Sequence, residues 1–160
     1  MRSEQEVNRA IDQYSDMILR LCMVYLKNST DAEDIFQTVF LKYTLYDRPF
    51  ENEEHEKAWL IRVTVNECKN LVRSRWWRAE SFEEYAGTLV FDNQAQSNLF
   101  QMVMALPRKY RIPIYLHYYE GYSTQEIGQL LKLPKNTVCT QLKRGRELLK
   151  ESLQEVDGDV

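Results

Sequence analysis

Apolar residues recur at spacings of three and four along most of this chain. In residues 4–27 Val7, Ile11, Tyr14, Ile18, Leu21 and Tyr25 fall on one stripe. That is the repeat of a helix that buries one face. Only five glycines and four prolines occur in 160 residues, so there are few places to turn. The fold class this predicts is all-α.

Asn28-Ser29-Thr30 interrupts the first helix. Thr30 with Glu33 forms a T-x-x-E pattern, which predicts a capped start for a second helix running to about Tyr46. Ile35, Val39 and Tyr43 share one stripe of it, with Phe36 and Phe40 beside them. Asp47-Arg48-Pro49 stops it, and a polar loop over 50–56 follows. A third helix is expected over 57–78. Ile61, Val65, Cys68 and Val72 lie on its apolar face, and Arg62, Asn66, Lys69 and Arg73 on a polar, basic one that ends at Trp76 and Trp77. From 79 to 97 the periodicity weakens and the net charge is -4. The expected organisation is therefore two small helical domains, 1–78 and 98–160, joined by a flexible linker at 79–97.

In the second domain Leu99, Met102, Val103 and Leu106 form a short helix ended by Pro107. A helix to about Glu120 follows, with Pro113 inside it and Gly121 closing it. Ser123-Thr124-Gln125-Glu126 is a second capping box, opening a helix to Leu131. Pro134 suits the first position of a last helix that runs to about Leu153.

Charge is segregated. The formal net charge is -3, which argues against general nucleic-acid binding by the whole surface. Yet residues 57–78 hold six basic residues against one acidic, and residues 105–150 hold nine against three. Three cysteines, Cys22, Cys68 and Cys139, are scattered, and no Cys/His cluster exists for zinc. No glycine-rich phosphate loop is present, and neither His55 nor His117 has a nucleophile motif beside it. No enzymatic activity, cofactor or metal is expected. No apolar run is long enough to span a membrane, so no membrane insertion and a cytoplasmic location are expected.

The helices at 124–131 and 134–153, with a three-residue turn, make a helix-turn-helix. Ile127, Leu130, Leu131, Leu133, Val138, Leu142 and Leu149 supply its packing, and Gly128 allows a close approach. Lys135, Asn136, Cys139, Thr140, Lys143 and Arg144 are left on the outer face, with no acid before Glu147. Lys, Asn, Thr and Arg hydrogen-bond base edges and phosphates in the major groove.

Three blocks in order carry a resemblance. Leu106-Pro107-Arg108-Lys109-Tyr110-Arg111, Glu120-Gly121-Tyr122-Ser123-Thr124-Gln125-Glu126-Ile127-Gly128, Thr137-Val138 and Arg144-Gly145-Arg146-Glu147-Leu148-Leu149 make the first. This set resembles the C-terminal promoter-reading domain of extracytoplasmic-function sigma factors. Asp31-Ala32-Glu33-Asp34-Ile35-Phe36-Gln37-Thr38-Val39-Phe40 is similar to their polymerase-binding helix. Ala58-Trp59-Leu60-Ile61-Arg62-Val63-Thr64-Val65-Asn66, with Asn70 and Arg73, is similar to their promoter-melting helix.

The resemblance implies a sigma factor that binds core RNA polymerase and directs it to promoters. Asp34, Gln37 and Phe40 would meet the clamp helices of the largest subunit, and the second domain the beta-subunit flap. Asn66, Asn70 and Arg73, grouped with Arg62 and Lys69 of the same face, would meet the non-template strand of the minus-ten element. The loop 47–56 would pocket a flipped base. Thr137 joins Lys135, Asn136, Cys139, Thr140, Lys143 and Arg144 as minus-thirty-five contacts. Cys139 and Gln141 depart from the basic residues usual there, and Glu51, Glu53, Glu54 and Glu56 put acid near phosphate. An anti-sigma partner is implied as the source of control. The competing reading is a helix-turn-helix regulator with a sensory or dimerising N-terminal half. It accounts for 98–160 but not for the basic, asparagine-bearing face at 57–78.

Overall fold

The computed structural model describes residues 1–75 and 94–158, and side chains within 1–75 and 98–155. Seven helices are present among the described residues, and they divide into two compact units, α1–α3 and α4–α7. Trp76, Trp77, Arg78 and the linker residues up to 93 lie outside the described residues.

In the first unit α1 spans Glu4–Leu26, α2 Ser29–Leu45 and α3 Glu53–Ser74. Ser3 caps α1 by accepting from the Glu6 amide, and Lys27 ends it in the left-handed conformation, φ 55°. The cap of α2 is Asn28, whose side chain accepts from the Asp31 amide at 2.9 Å. The expected Thr30 box is not used, because an amide oxygen two residues earlier already takes the first free donor. The third helix starts at Glu53, four residues before the expected 57. Asn52 caps it, and Glu53, Glu54 and Glu56 occupy its first turn, where the helix dipole favours negative charge. The loop between α2 and α3 is thereby 46–52, and residues 53–56 of the expected polar loop are helical.

The three helices pack pairwise around Tyr14, Ile18, Leu21, Val39, Tyr43, Leu60, Ile61 and Val65. Each large aliphatic side chain buried there contributes about 1.5–3 kcal/mol. Ion pairs join α3 back to α2, Arg75 to Asp31 and Lys42 to Glu67.

In the second unit α4 spans Gln94–Met104, α5 Arg108–Tyr118, α6 Thr124–Leu131 and α7 Lys135–Gly158. Helix α4 thus begins inside the segment expected as linker. Phe100, Val103, Ile114, Leu116, Ile127, Val138 and Leu142 form the core. Pro113 lies inside α5 without ending it. The buried Arg111 donates to the carbonyls of Met104 (3.3 Å) and Leu106 (3.1 Å), so its charge satisfies the end of α4.

The turn between α6 and α7 is tight. The expected capping box is formed: Ser123 Oγ accepts from the Glu126 amide, and Glu126 accepts from the Ser123 amide. Lys132 takes the left-handed conformation, φ 58°, and its amide and that of Leu133 both donate to the Gly128 carbonyl. A Cβ at Gly128 would stand 2.7 Å from the Leu133 carbonyl oxygen, so the small residue is required by the turn's backbone. Pro134 precedes the helix instead of opening it, and its carbonyl accepts from the Val138 amide.

Candidate nucleic-acid interface

Helix α7 is held by α5 and α6 through Val138, Leu142 and Gly145. Those contacts fix its rotation. Lys135, Asn136, Thr137, Cys139, Thr140, Lys143 and Arg144 are all exposed on the opposite side. The helix-turn-helix reading of these positions therefore has a continuous outer face. Two of its groups are already engaged. Thr140 Oγ1 donates to the Asn136 carbonyl at 2.9 Å, leaving its lone pairs outward. Arg144 pairs with Glu147 (3.3 Å) and Glu151 (3.9 Å), so a base or phosphate would compete with two carboxylates.

On α3 the buried series Ile61, Val65 and Cys68 turns the other face outward. Arg62, Asn70 and Arg73 are exposed there, and Asn66 and Lys69 are half-buried. The five expected residues are thus brought to one polar helix face. On α2 Asp34 and Gln37 are exposed on one stripe, whereas Phe40 is 6% exposed and packs on Phe36 and Tyr43. The exposed apolar groups following Gln37 are Leu41 and Leu45, which the sequence reading did not single out. Phe40 lies next to the Ile35, Val39 and Tyr43 stripe, and Leu41, a further turn of about 100° round the helix, is turned away from it.

Between α2 and α3 the short loop rests on rings. Phe50 stacks parallel on Tyr43, with centroids 6.1 Å apart, and meets Tyr46, His55 and Trp59. Trp59 is part of this cluster, against Tyr46 at 4.7 Å. Asp47, Arg48 and Pro49 stand exposed above it.

Beneath the rings lies a buried carboxylate. Glu56 accepts from Arg9 at 2.7 Å and from the Tyr43 hydroxyl at 2.8 Å. Burial alone pushes its carboxyl up, but the hydrogen bonds from Arg9, Tyr43 and Tyr14 and the Arg9 charge outweigh it and hold it below the ordinary range. Burial, reinforced by Glu56, pushes the Tyr14 and Tyr43 hydroxyls up to about 12. So one member of the acidic segment is a structural acid of the bundle, and Glu53 and Glu54 belong to a helix N-terminus. A lone Glu among four gave no sequence signal for burial, because its partner Arg9 lies 47 residues away.

In the second unit His117 Nδ1 lies 2.7 Å from the Tyr122 carbonyl, half-buried. The carbonyl can only accept, which places a proton on Nδ1. Cys22 and Cys68 are buried and Cys139 exposed, and none of the three is in a disulfide. Among the described residues no cluster of His, Cys, Asp or Glu could hold a metal, and no helix is long and apolar enough to cross a membrane.

A helix-turn-helix whose outer face is free of acid from Lys135 to Arg144, and a separate helix with a basic, amide-bearing face, define a helical DNA-directed transcription factor. Comparison with known proteins carries this further. Residues 10–78 match the sigma-70 region 2 family and residues 96–149 the sigma-70 region 4 family. The chain is 30% identical over 164 residues to the ECF RNA polymerase sigma factor SigW of Bacillus subtilis, covering 91% of this chain and 88% of that one. It is 25% identical over 175 residues to the RNA polymerase sigma-H factor of Pseudomonas aeruginosa, covering 96% and 91%. In fold it is similar to a chain of the co-crystal structure of the sigma factor RpoE with the anti-sigma factor NepR from Bartonella quintana. That match has a TM-score of 0.72 at 21% identity, over 94% of this chain and 98% of that one. The chain belongs to the extracytoplasmic-function sigma factors of RNA polymerase. Its function is to direct the polymerase to promoters for transcription initiation, and the reading as an ordinary helix-turn-helix regulator is not favoured.

Proposed function

We propose that the work of this sigma factor is divided among three faces. Asp34 and Gln37 on α2 hold the clamp helices of core polymerase, with Phe40 acting from beneath by fixing the helix. Arg62, Asn66, Lys69, Asn70 and Arg73 on α3 engage the non-template strand of the minus-ten element. Lys135, Asn136, Thr137, Cys139, Thr140, Lys143 and Arg144 on α7 read the minus-thirty-five element in the major groove.

The observation that carries this reading is the α3 face, where amides and guanidinium groups share one side of a helix whose other side is core. Taking a base out of the stack costs a few kcal/mol. Stacking and base-edge contacts return about 1–3 kcal/mol per base, so melting needs no nucleotide hydrolysis. The loop 46–52 receives the extruded base. Of the acids in and beside the loop, Glu56 faces the bundle, while Asp47, Glu51, Glu53 and Glu54 stay exposed.

The factor carries out no chemistry of its own, acts in the cytoplasm where its polymerase is, binds the beta-subunit flap through the second unit, and is held in check by an anti-sigma protein. In support, the Bartonella quintana relative in fold was crystallised with such a partner. The first domain is 1–78, and the second takes in all of α4, so it begins by residue 94 and not at 98.

The experiment is run-off transcription with purified core polymerase on a genomic library. Specific transcripts should require both core and this protein, and the protein alone should bind no duplex tightly. Tight, specific duplex binding by the free protein, with no core-dependent transcript, would overturn the proposal.

A further inference from the structure

The loop 46–52 is held from two sides. From the α3 side, the rings of Tyr46, Phe50 and Trp59 fix its two ends. From the α1 side it is held by Arg2, one residue before the Ser3 cap. The Arg2 guanidinium carbon lies 4.7 Å from the ring centres of both Tyr43 and Phe50, and 5.9 Å from that of Tyr46. Its Nη2 donates to the Arg48 carbonyl at 2.6 Å, at the top of the loop. Its backbone amide donates to the Thr44 carbonyl at 2.8 Å, at the end of α2. The side chain is only 12% exposed, although residue 2 stands outside every helix.

This is an expensive arrangement for a surface arginine. Ordering so long a side chain gives up rotamer freedom, and burying its charge costs more. It is met by ring faces, by one backbone carbonyl and by the exposed Glu6 carboxylate 3.8 Å away. The carbonyl belongs to the middle of the exposed run Asp47, Arg48 and Pro49, which no helix hydrogen bond stabilises. Arg2, beside the exposed pair of the Met1 ammonium with Asp47, therefore ties down the part of the loop that the aromatic cluster does not reach.

We propose that Arg2 is a positioning residue for promoter opening: its guanidinium holds the loop 46–52 in the shape that receives an extruded non-template base. The proposal rests on the reading of that loop as the base-receiving segment. Arg2 touches no DNA in this role; it acts through the Arg48 backbone and the Phe50 ring. Its effect belongs to capture of the base and not to docking on polymerase, because Asp34 and Gln37 lie on α2 away from the Thr44 end that Arg2 meets.

The test uses holoenzyme made with the full chain and a single-stranded minus-ten oligonucleotide. Each base in turn is replaced by an abasic site, and affinity is measured for wild type, Arg2→Ala, Arg2→Met and Arg2→Lys. Wild type should lose about 5-fold to 100-fold at one position, the base that is captured. Arg2→Ala should bind core as wild type does, but its abasic penalty should shrink by about 5- to 30-fold, to near none, from loss of one carbonyl hydrogen bond and the cation–π contact. Arg2→Met keeps the packing on the rings without charge or donor, and should show the same loss even if Arg2→Ala disturbs the helices. Arg2→Lys should recover part of the penalty. A purely structural arginine would lower core binding and all DNA affinities together and leave the penalty ratio unchanged. If Arg2→Ala and Arg2→Met keep the full penalty, the role of Arg2 is overturned while the loop reading stands. If wild type shows no penalty at any position, the loop reading itself fails and the role of Arg2 with it.

Discussion

Glu56 is tied to Arg9 and Tyr43, and this makes the first unit sensitive to pH at both ends of the scale. Its carboxyl titrates below the ordinary 4.5, so the stability it contributes is present above 4.5 and is lost as pH falls through the lower folded value. The tyrosines run the other way. Their hydroxyls are raised from 10.0 to about 12, so the stability they contribute is present below 10.0 and is lost as pH rises towards about 12. Glu56→Gln should cost about 1–3 kcal/mol at neutral pH, because it leaves Arg9 with a weaker acceptor. In urea titrations from pH 7 to pH 3, the variant should lack the part of the acid decline that Glu56 causes in wild type. A parallel decline in both proteins would assign it to other carboxylates. On the second unit, Glu147 pairs with Arg144, so under the proposed minus-thirty-five reading DNA would have to displace it. An exposed pair of this kind is worth at most about 1 kcal/mol. Glu147→Gln should therefore tighten holoenzyme binding to a minus-thirty-five duplex by up to about fivefold, measured by fluorescence anisotropy at low salt.

Among the elements, the turn from α6 to α7 has the least tolerance for added atoms. Gly128→Ala gains helix propensity of about 1 kcal/mol. It also drives a Cβ against the Leu133 carbonyl, which is backbone in a residue whose amide is held by the Gly128 carbonyl. The variant should be destabilised by about 1–3 kcal/mol in thermal unfolding and should lose promoter-specific transcription. Gly145→Ala meets the side chain of Ile114 instead, which can rotate, so its cost should be smaller. Lys132→Gly should stabilise the unit by up to about 1 kcal/mol, since glycine takes the left-handed position without strain. The same turn shows what is legible in a sequence. The Ser123 box, the short helix, the turn and the outward face of α7 all follow from local residue types and spacing, and all are present in the structure. The start of α2 was missed because two competent caps, Asn28 and Thr30, lie within three residues, and local pattern does not rank them. The start of α3 was missed because four acids and Asn52 read equally well as a polar loop or as a capped first turn. Residues such as Arg2 and Glu56 were beyond reach for a different reason. Their partners come from other helices, so only the packed bundle reveals them.

At the scale of the whole molecule, a factor that both holds polymerase and opens DNA must keep the two tasks on surfaces that can be broken one at a time. Asp34 and Gln37 are exposed on α2, and on α3 Asn70 and Arg73 are exposed and Asn66 half-buried. None of the five is part of the buried core, so their removal should leave the helices intact. An Asn66→Ala/Arg73→Ala protein should co-purify with core polymerase and form closed promoter complexes, yet show little permanganate reactivity of thymines in the melted region. An Asp34→Ala/Gln37→Ala protein should lose core binding by about tenfold or more, as expected for two polar contacts at about 1 kcal/mol each, with unchanged circular dichroism. Loss of core binding by the first pair and its retention by the second would mean that the two surfaces have been exchanged. Loss of helical content in both would return these residues to service of the bundle, and promoter melting would have to be sought on the aromatic cluster of Tyr46, Phe50 and Trp59.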